Sequence, residues 1–206
     1  MRGSLAAGDV NGDGRADLVA GDAYGPDGGG EVRIFHGTGS EAMFTAAQVI
    51  NQDSPDIPDA SESGDQFGAS VGVGDTDRDG HAEVVVGAPG ENVGTESDTG
   101  AVTVLYGTTT GVTAERAQMF GQDSTGMPGT SEMNDRFGQK ASLADVTGDG
   151  MADLLAGASG ENADDGAVWV LRGGADGLTA DGVLAFNAGT LGVGNRRAEL
   201  GGVLLP

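Results

Sequence analysis

Short apolar runs, separated by glycine-rich and acidic segments, follow one another along most of the chain. The run at 101–107 shows this best, because the two faces of an extended strand there would carry Val102, Val104 and Tyr106 on one side and Ala101, Thr103 and Leu105 on the other. Both faces are largely apolar, which is typical of a sheet packed between two other sheets. The pattern therefore predicts an all-β protein built from short strands.

These runs belong to a unit that recurs along the chain. Equivalent acidic segments begin at Asp9, Asp75 and Asp145, which are 66 and 70 residues apart. The second and third units align without a gap over a long stretch, in which Gln52, Pro58, Glu62, Asp65 and Phe67-Gly68 recur as Gln122, Pro128, Glu132, Asp135 and Phe137-Gly138. Self-similarity of this length indicates a repeat architecture. We expect three repeats, at 1–66, 67–136 and 137–199, with Met1 at the Phe position of the first, and the start of a fourth at 200–206.

Each repeat carries four candidate strands. In the second repeat, Ala69–Gly74 and Ala82–Gly87 flank the acidic segment and should form a hairpin. The run at 101–107 is the third strand, and a weaker fourth strand is expected near Ala117–Gly121. The other repeats offer third strands at 32–37 and 167–173 and fourth strands near 46–51 and 183–187. Four antiparallel strands in a unit of this length fit a β-propeller blade with long loops.

Composition and charge narrow the classes of partner. The chain has 40 glycines, a net charge of −22 and only 10 basic residues. Nucleic acids and anionic membrane surfaces both require a basic surface, so neither is an expected partner. No run approaches the apolar length of a membrane span, and the first residues lack the apolar stretch of a signal peptide.

The acidic segments have the composition of calcium loops. Oxygen-bearing side chains stand at positions 1, 3, 5 and 9 of each nonapeptide, and glycine at position 6 permits a sharp turn. Up to three Ca²⁺ ions are therefore expected, with position 7 contributing its backbone carbonyl. The predicted ligands are Asp9, Asn11, Asp13, Arg15 and Asp17 in the first loop, Asp75, Asp77, Asp79, His81 and Glu83 in the second, and Asp145, Thr147, Asp149, Met151 and Asp153 in the third.

The number of carboxylates predicts different affinities in the three loops. The second loop has four carboxylates and should bind calcium most tightly, whereas the first and third have three each. Thr147 offers only a neutral hydroxyl or a bound water, so the third loop should be the weakest. Magnesium is disfavoured because it prefers a small octahedral shell that retains several waters.

Two other interpretations of these loops were weighed. EF-hand and dockerin loops need an acid at position 12 and a following helix, but position 12 is Ala20, Val86 or Ala156, each within an apolar run. Those two modules are therefore excluded. The second interpretation stays open: Asp and Asn also stabilise turns without any metal.

The order of motifs in the second repeat resembles the FG-GAP repeat, the blade unit of integrin alpha-subunit propellers and of their bacterial relatives. Phe67-Gly68, the loop Asp75–Glu83 and Gly87-Ala88-Pro89 carry this resemblance. The third repeat has Gly157-Ala158-Ser159 at the last motif, and the first repeat has Gly21-Asp22-Ala23 there. The resemblance implies a calcium-bound, non-catalytic propeller that is extracellular or at the cell surface and serves adhesion or ligand binding, with a protein or glycan ligand that the sequence does not name.

Several organisations remain open at this point. Three blades are too few to close a ring, so we expect either the remaining blades of a larger propeller or self-association into a homo-oligomer. FG-GAP-type units also occur as accessory domains of secreted hydrolases, which is the alternative function, alongside a purely structural assembly fragment. No Ser/His/Asp set, isolated pair of acids or open metal position predicts catalysis, so the chain itself is not expected to be an enzyme.

Overall fold

The computed structural model describes residues 3–25, 27–39, 43–45, 47–192 and 197–203. The predicted Phe-equivalent position at Met1, the start of the predicted strand at 46 and the end of the predicted fourth repeat at 204–206 lie outside these residues. Within them the protein is all-β, as the alternation of apolar residues predicted. No helix in this part of the chain has the length and apolar character needed to cross a lipid bilayer.

Twelve strands in the described residues form three separate four-stranded antiparallel sheets. Each sheet takes four consecutive strands in chain order, so every strand pairs with its neighbour in sequence. The strands are β1 (Gly3–Gly8), β2 (Asp17–Asp22), β3 (Glu31–Phe35) and β4 (Gln48–Ile50); β5 (Ser70–Gly74), β6 (Glu83–Ala88), β7 (Ala101–Thr108) and β8 (Gly111–Phe120); and β9 (Lys140–Ala144), β10 (Asp153–Ala158), β11 (Ala167–Arg172) and β12 (Thr179–Asn187).

The predicted strands match the observed ones except at the start of the fourth strand. Strand β8 begins at Gly111, six residues before the expected Ala117, and β12 begins at Thr179 rather than near Val183. A tight turn explains the longer β8: Thr108 pairs directly with Gly111, and the Thr108 hydroxyl donates a 2.7 Å hydrogen bond to the Gly111 carbonyl. The polar residues Thr109 and Thr110 in this turn conceal the hairpin in the sequence pattern.

Neighbouring sheets pack face to face through their first strands, with β1 against β5 and β5 against β9. The three sheets are thus consecutive blades of a partial β-propeller. Small residues allow the close approach, since a Cβ atom on Gly72 of β5 would lie 2.9 Å from the Cα atom of Ser142 in β9. Apolar side chains on both faces of the middle blade fill the two interfaces, as predicted for a sheet enclosed on both sides.

The Phe-Gly residues of the second and third repeats close the preceding blade. Phe67 and Phe137 are fully buried, and each forms a parallel bridge with a glycine of the blade before it, Gly30 and Gly100 respectively. The Phe137 ring also meets Trp169 edge-on, with ring centroids 5.3 Å apart. Leu200 makes the same bridge with Gly166 at the far end of the described chain. Both phenylalanines therefore belong to the core between blades.

One helical segment occurs in the described residues, α1 (Glu161–Asp164). It is a single irregular turn, because Asn162 and Ala163 have left-handed backbone angles, with φ of 54° and 61°. The turn occupies the same place in the third blade as residues 91–94 in the second.

Candidate metal centre

The three acidic loops occupy equivalent places at one end of the blades. Each connects the first two strands of its sheet, and its ninth residue, Asp17, Glu83 or Asp153, is the first residue of the second strand. The ninth acid is therefore held by a paired strand, whereas the preceding acids lie in the turn. The loops lie within β-hairpins, as predicted.

All three loops share one set of internal hydrogen bonds. The carboxylate at position 1 accepts the backbone N–H of the glycine at position 6, at 2.7 Å in the first loop, 3.1 Å in the second and 2.8 Å in the third. The carboxylate at position 5 accepts the N–H of position 7 at 2.8 to 2.9 Å. The position 6 glycines Gly14, Gly80 and Gly150 have φ of 82°, 88° and 85°, which disfavours a side chain. These bonds fix the curvature of the loop with its own acids.

The ninth acid separates the first and third loops from the second. Asp17 accepts the N–H of Val10 at 3.0 Å through one oxygen and that of Gly37 at 2.8 Å through the other. In the third loop both oxygens of Asp153 likewise accept backbone N–H groups, at 3.0 to 3.1 Å. These two carboxylates are satisfied by the polypeptide itself.

Glu83, the ninth acid of the second loop, is fully buried and only half satisfied. Its Oε2 atom accepts two hydrogen bonds from Thr76, from the backbone N–H and from the hydroxyl, both at 2.7 Å. Its Oε1 atom is buried and has no hydrogen-bond partner. Burial raises the pKa of the Glu83 carboxyl to about 7, and the charges of Asp77 and Asp75 add to this effect. A buried carboxylate oxygen without a partner carries a large desolvation penalty.

Carboxylate oxygens of Asp75, Asp77 and Glu83 lie within 4.8 Å of one another. Calcium binds oxygen ligands at 2.3–2.6 Å, so two oxygens on opposite sides of one ion are about 4.6–5.2 Å apart. The separation of 4.8 Å fits this range. Partial burial, followed by the charges of Asp79 and Asp75, raises the pKa of Asp77. Among the described residues, no three acids of the first or third loop come together in this way.

Other predicted ligands make contacts within their own loops and are not part of this group of oxygens. Asp79 accepts the His81 N–H at 2.8 Å, and its Oδ1 atom lies 3.2 Å from the His81 ring nitrogen Nδ1. In the first loop the guanidinium of Arg15 forms a 3.1 Å ion pair with Asp13. The coordination predicted for the backbone carbonyls of Arg15, His81 and Met151 stays a prediction.

Thr76 is a member of this candidate site that the loop pattern does not identify. It stands at position 2, where the other two loops have Val10 and Val146, and it is fully buried against Glu83. The sequence signal is that position 2 is Thr instead of Val in the one loop whose ninth residue is Glu instead of Asp.

A second group of acids lies outside the loops. Carboxylate oxygens of Glu62, Asp65 and Glu91 also lie within 4.8 Å of one another, and Asp65 and Glu91 are buried. The amide of Gln52 donates to Glu91 Oε2 at 2.7 Å, and Asp65 accepts the Glu62 N–H at 2.6 Å. Burial raises the pKa of Asp65 to about 6 and that of Glu91 to about 7.

The next repeat contains the same arrangement. Gln122 donates to Glu161, and Asp135 accepts the Glu132 N–H at 2.7 Å. Burial raises the pKa of Glu161 to about 7 and that of Asp135 above its ordinary value. Within the described part of the chain, no Lys or Arg forms an ion pair with these acids. The recurrence of Gln, Asp and Glu at a spacing of 70 residues is the sequence signal for this group, but it does not reveal that the three side chains meet.

Comparison with known families agrees with the motifs. The FG-GAP repeat family matches residues 1–35, 67–105 and 137–171, which together make up more than half of the chain. Each match begins at or near a Phe-Gly position and ends in the third strand of a blade.

Integrin alpha subunits are among the similar proteins. Integrin alpha pat-2 of Caenorhabditis elegans is 28% identical over 207 residues, which cover 93% of this chain and 15% of that protein. Integrin alpha pat-2 of Caenorhabditis briggsae is 33% identical over 169 residues, and integrin alpha-5 of Xenopus laevis is 30% identical over 159 residues. Each of these two alignments covers 76% of this chain, and they cover 13% and 14% of the respective relatives.

Proposed function

Because the chain belongs to the FG-GAP repeat family, we propose that it is a calcium-binding, non-catalytic propeller module that serves adhesion or ligand binding outside the cell or at its surface. Its similarity to integrin alpha subunits supports the adhesive role. The chain spans only about one seventh of those relatives, so the proposal concerns the propeller portion that it matches.

The observation that carries the calcium proposal is the unpartnered Oε1 atom of Glu83. This atom is buried, and carboxylate oxygens of Glu83, Asp75 and Asp77 lie within 4.8 Å of one another, where their negative charges repel. A hard divalent cation would satisfy the oxygen and reverse the repulsion. Calcium fits this set of carboxylate oxygens better than magnesium, which holds its waters more strongly.

The second loop is proposed as the strongest of three sites. In the first and third loops, Asp17 and Asp153 already accept backbone N–H groups through both oxygens. Binding of a cation there must compete with these hydrogen bonds. Affinities of about 10⁻⁴ to 10⁻³ M are expected, as for other extracellular calcium modules.

A bound ion in these loops has a structural role rather than a catalytic one. Each loop joins two paired strands, so a cation that neutralises its carboxylates stabilises the hairpin that carries them. Stabilised hairpins in turn hold the first strands, through which neighbouring blades pack.

The ligand-binding part of the proposal is supported by a cavity at the opposite end of the blades. It has a volume of about 530 Å³ and lies near the starts of β1, β5 and β9, whereas the calcium loops follow the ends of these strands. Tyr24, Asp98, Arg136 and Lys140 line it, so two of the 10 Lys and Arg residues of the chain stand there with a single acid. An acidic group of a protein or glycan ligand would suit this lining.

The calcium proposal is tested by isothermal titration calorimetry of the wild type and of Glu83→Gln, which keeps the size of the side chain and removes its charge. We expect the tightest binding event to weaken at least tenfold. Glu96→Gln is the matched control, since Glu96 is exposed in the segment between β6 and β7, at the other end of the blade. The proposal is refuted if the wild type binds no calcium at concentrations up to about 10⁻² M, tenfold above the expected range. It is also refuted if Glu83→Gln binds calcium as tightly as the wild type.

The ligand-binding part is tested on arrays of matrix proteins and glycans. Binding that is lost in the double variant Arg136→Ala, Lys140→Ala supports the cavity as the site. Binding that is unchanged in this variant excludes the cavity.

A further inference from the structure

The three calcium loops are joined to one another by backbone hydrogen bonds. Ala82, at position 8 of the second loop, donates to the carbonyl of Asp9, at position 1 of the first loop, at 2.9 Å. Ala152 makes the same bond to Asp75, from the third loop to the second, at 2.8 Å. Each loop therefore contacts the first ligand residue of the loop before it.

Arg78 adds a side-chain link that exists only between the second and third loops. Its Nε atom donates to the Gly150 carbonyl at 3.1 Å, and its Nη2 atom donates to the Asp149 carbonyl. The corresponding position 4 is Gly12 in the first loop and Gly148 in the third, and neither has a side chain that could reach a neighbouring loop. The guanidinium thus bonds two consecutive carbonyls at the turn of the third loop.

The backbone conformation of Arg78 sets this position apart. Arg78 has φ of 63°, and its equivalents Gly12 and Gly148 have φ of 69° and 76°. A left-handed conformation is unfavourable for a residue with a Cβ atom, and glycine is the residue that normally occupies it. Strained residues of this kind are found where the surrounding structure or a function requires the side chain.

A continuous series of bonds runs from the second loop to the third. The N–H of Arg78 donates to Oδ1 of Asp75 at 2.7 Å, so the first predicted ligand of the second loop fixes the backbone of Arg78. The guanidinium then holds the carbonyl of Gly150, whose own N–H donates to Asp145 at 2.8 Å. A contiguous path of hydrogen bonds therefore joins Asp75 to Asp145.

We propose that Arg78 is a positioning residue that couples the two loops, so that calcium in the loop Asp75–Glu83 strengthens calcium binding in the loop Asp145–Asp153. This inference rests on the proposed calcium binding. The positive charge of the guanidinium repels a cation. Because the guanidinium binds exposed carbonyls, salt screens this repulsion. Salt does not remove the hydrogen bonds that order the turn. The coupling is reciprocal, because linkage requires the third loop to strengthen the second by the same factor.

Site-resolved titration by ¹⁵N NMR tests the coupling. The amides of Gly14, Gly80 and Gly150 each donate to the first carboxylate of their own loop and thus report calcium binding in that loop. The second loop is inactivated by Asp77→Asn with Asp79→Asn, which keeps the oxygens that accept backbone N–H groups. Calcium is added to this double variant in the Arg78 background and in an Arg78→Gly background.

With Arg78 present, inactivation of the second loop should weaken calcium binding at Gly150 about fivefold, at the lower end of typical coupling between sites. With Arg78→Gly, the same inactivation should change it less than twofold. Arg78→Lys should give an intermediate value, because one ammonium group does not reproduce the fork of a guanidinium. If the double variant does not fold, Arg78→Gly alone should raise the Gly150 midpoint about fivefold and leave the Gly14 midpoint unchanged.

The outcomes separate this inference from the function on which it rests. If Gly80 and Gly150 both respond to calcium but the Gly150 midpoint is the same with and without a working second loop, the coupling is refuted and calcium binding stands. If none of the three glycines responds, calcium binding itself is refuted.

Discussion

The buried acids Asp65 and Glu91 should make the protein less stable as the pH rises. Glu91 has a pKa of about 7 in the folded protein, against an ordinary value of 4.5, because it is buried beside Asp65. The folded state therefore holds a proton that the unfolded state has already lost between these pH values. A carboxyl of this kind contributes stability that is fully present below pH 4.5 and is lost as the pH rises through about 7.

The magnitude follows from the two pKa values. Each unit between them corresponds to about 1.4 kcal/mol, so Glu91 alone sets an upper limit of about 3 kcal/mol. Asp65, with a pKa of about 6, shares this environment, and the two groups titrate as a pair rather than independently. Glu91→Gln removes the charge and leaves an amide oxygen to accept the hydrogen bond from Gln52. We expect this variant to be more stable than the wild type by about 1–3 kcal/mol at pH 8 and by much less at pH 5.

Urea unfolding at pH 5, 6, 7 and 8, followed by circular dichroism in the presence of EDTA, measures this difference without a contribution from bound calcium. Glu115→Gln provides the control for removal of an exposed glutamate. The reasoning is wrong if Glu91→Gln is less stable than the wild type at pH 8, or if the difference between the two proteins is the same at every pH.

Three further changes have defined outcomes. Phe137→Ala should lower the free energy of unfolding by about 3–5 kcal/mol, because the ring is fully buried between two blades, whereas Phe44→Ala on the surface should cost much less; equal losses in urea unfolding would contradict this. Gly87→Ala should destabilise strongly, since its Cβ would overlap a carbonyl oxygen of the next blade, but Gly121→Ala, whose Cβ has 3.6 Å of clearance, should stay folded with a similar unfolding midpoint. EDTA should lower the melting temperature measured in 10 mM CaCl₂. A calcium concentration ten to a hundred times the dissociation constant stabilises the folded state by about 1.4–2.7 kcal/mol, so an unchanged melting temperature would count against structural calcium.

The sequence predicts most of the fold because the repeat supplies several copies of each local signal. Alternation in the run at 101–107 predicts a third strand, which is confirmed as β7, and the recurrence of Phe67-Gly68 as Phe137-Gly138 predicts the repeat that the three sheets show. The start of β8 was missed because polar residues in a tight turn interrupt the apolar pattern.

The candidate site is predictable only where its residues are close in sequence. The loop Asp75–Glu83 is a local motif, so its candidate ligands can be predicted from spacing. By contrast, Gln52 and Glu91 meet across 39 residues, and nothing in a linear pattern identifies that contact. The link from Arg78 to Gly150 spans 72 residues and depends on how neighbouring blades pack. Such contacts depend on tertiary structure. Periodic patterns in a single sequence predict local elements but not which distant residues meet.

The bridge between each Phe-Gly pair and the preceding blade affects how the number of repeats in such proteins can change. Each junction in the described residues is made from a glycine in one repeat and an apolar residue that opens the next, which is Phe67, Phe137 or Leu200. Removal of 67–136 would place Phe137 against Gly30, which is the partner that Phe67 has now. Recombination between repeats therefore preserves the junction wherever the crossover falls, provided that whole units are gained or lost. The number of blades can then vary by duplication or deletion while each surviving interface stays intact.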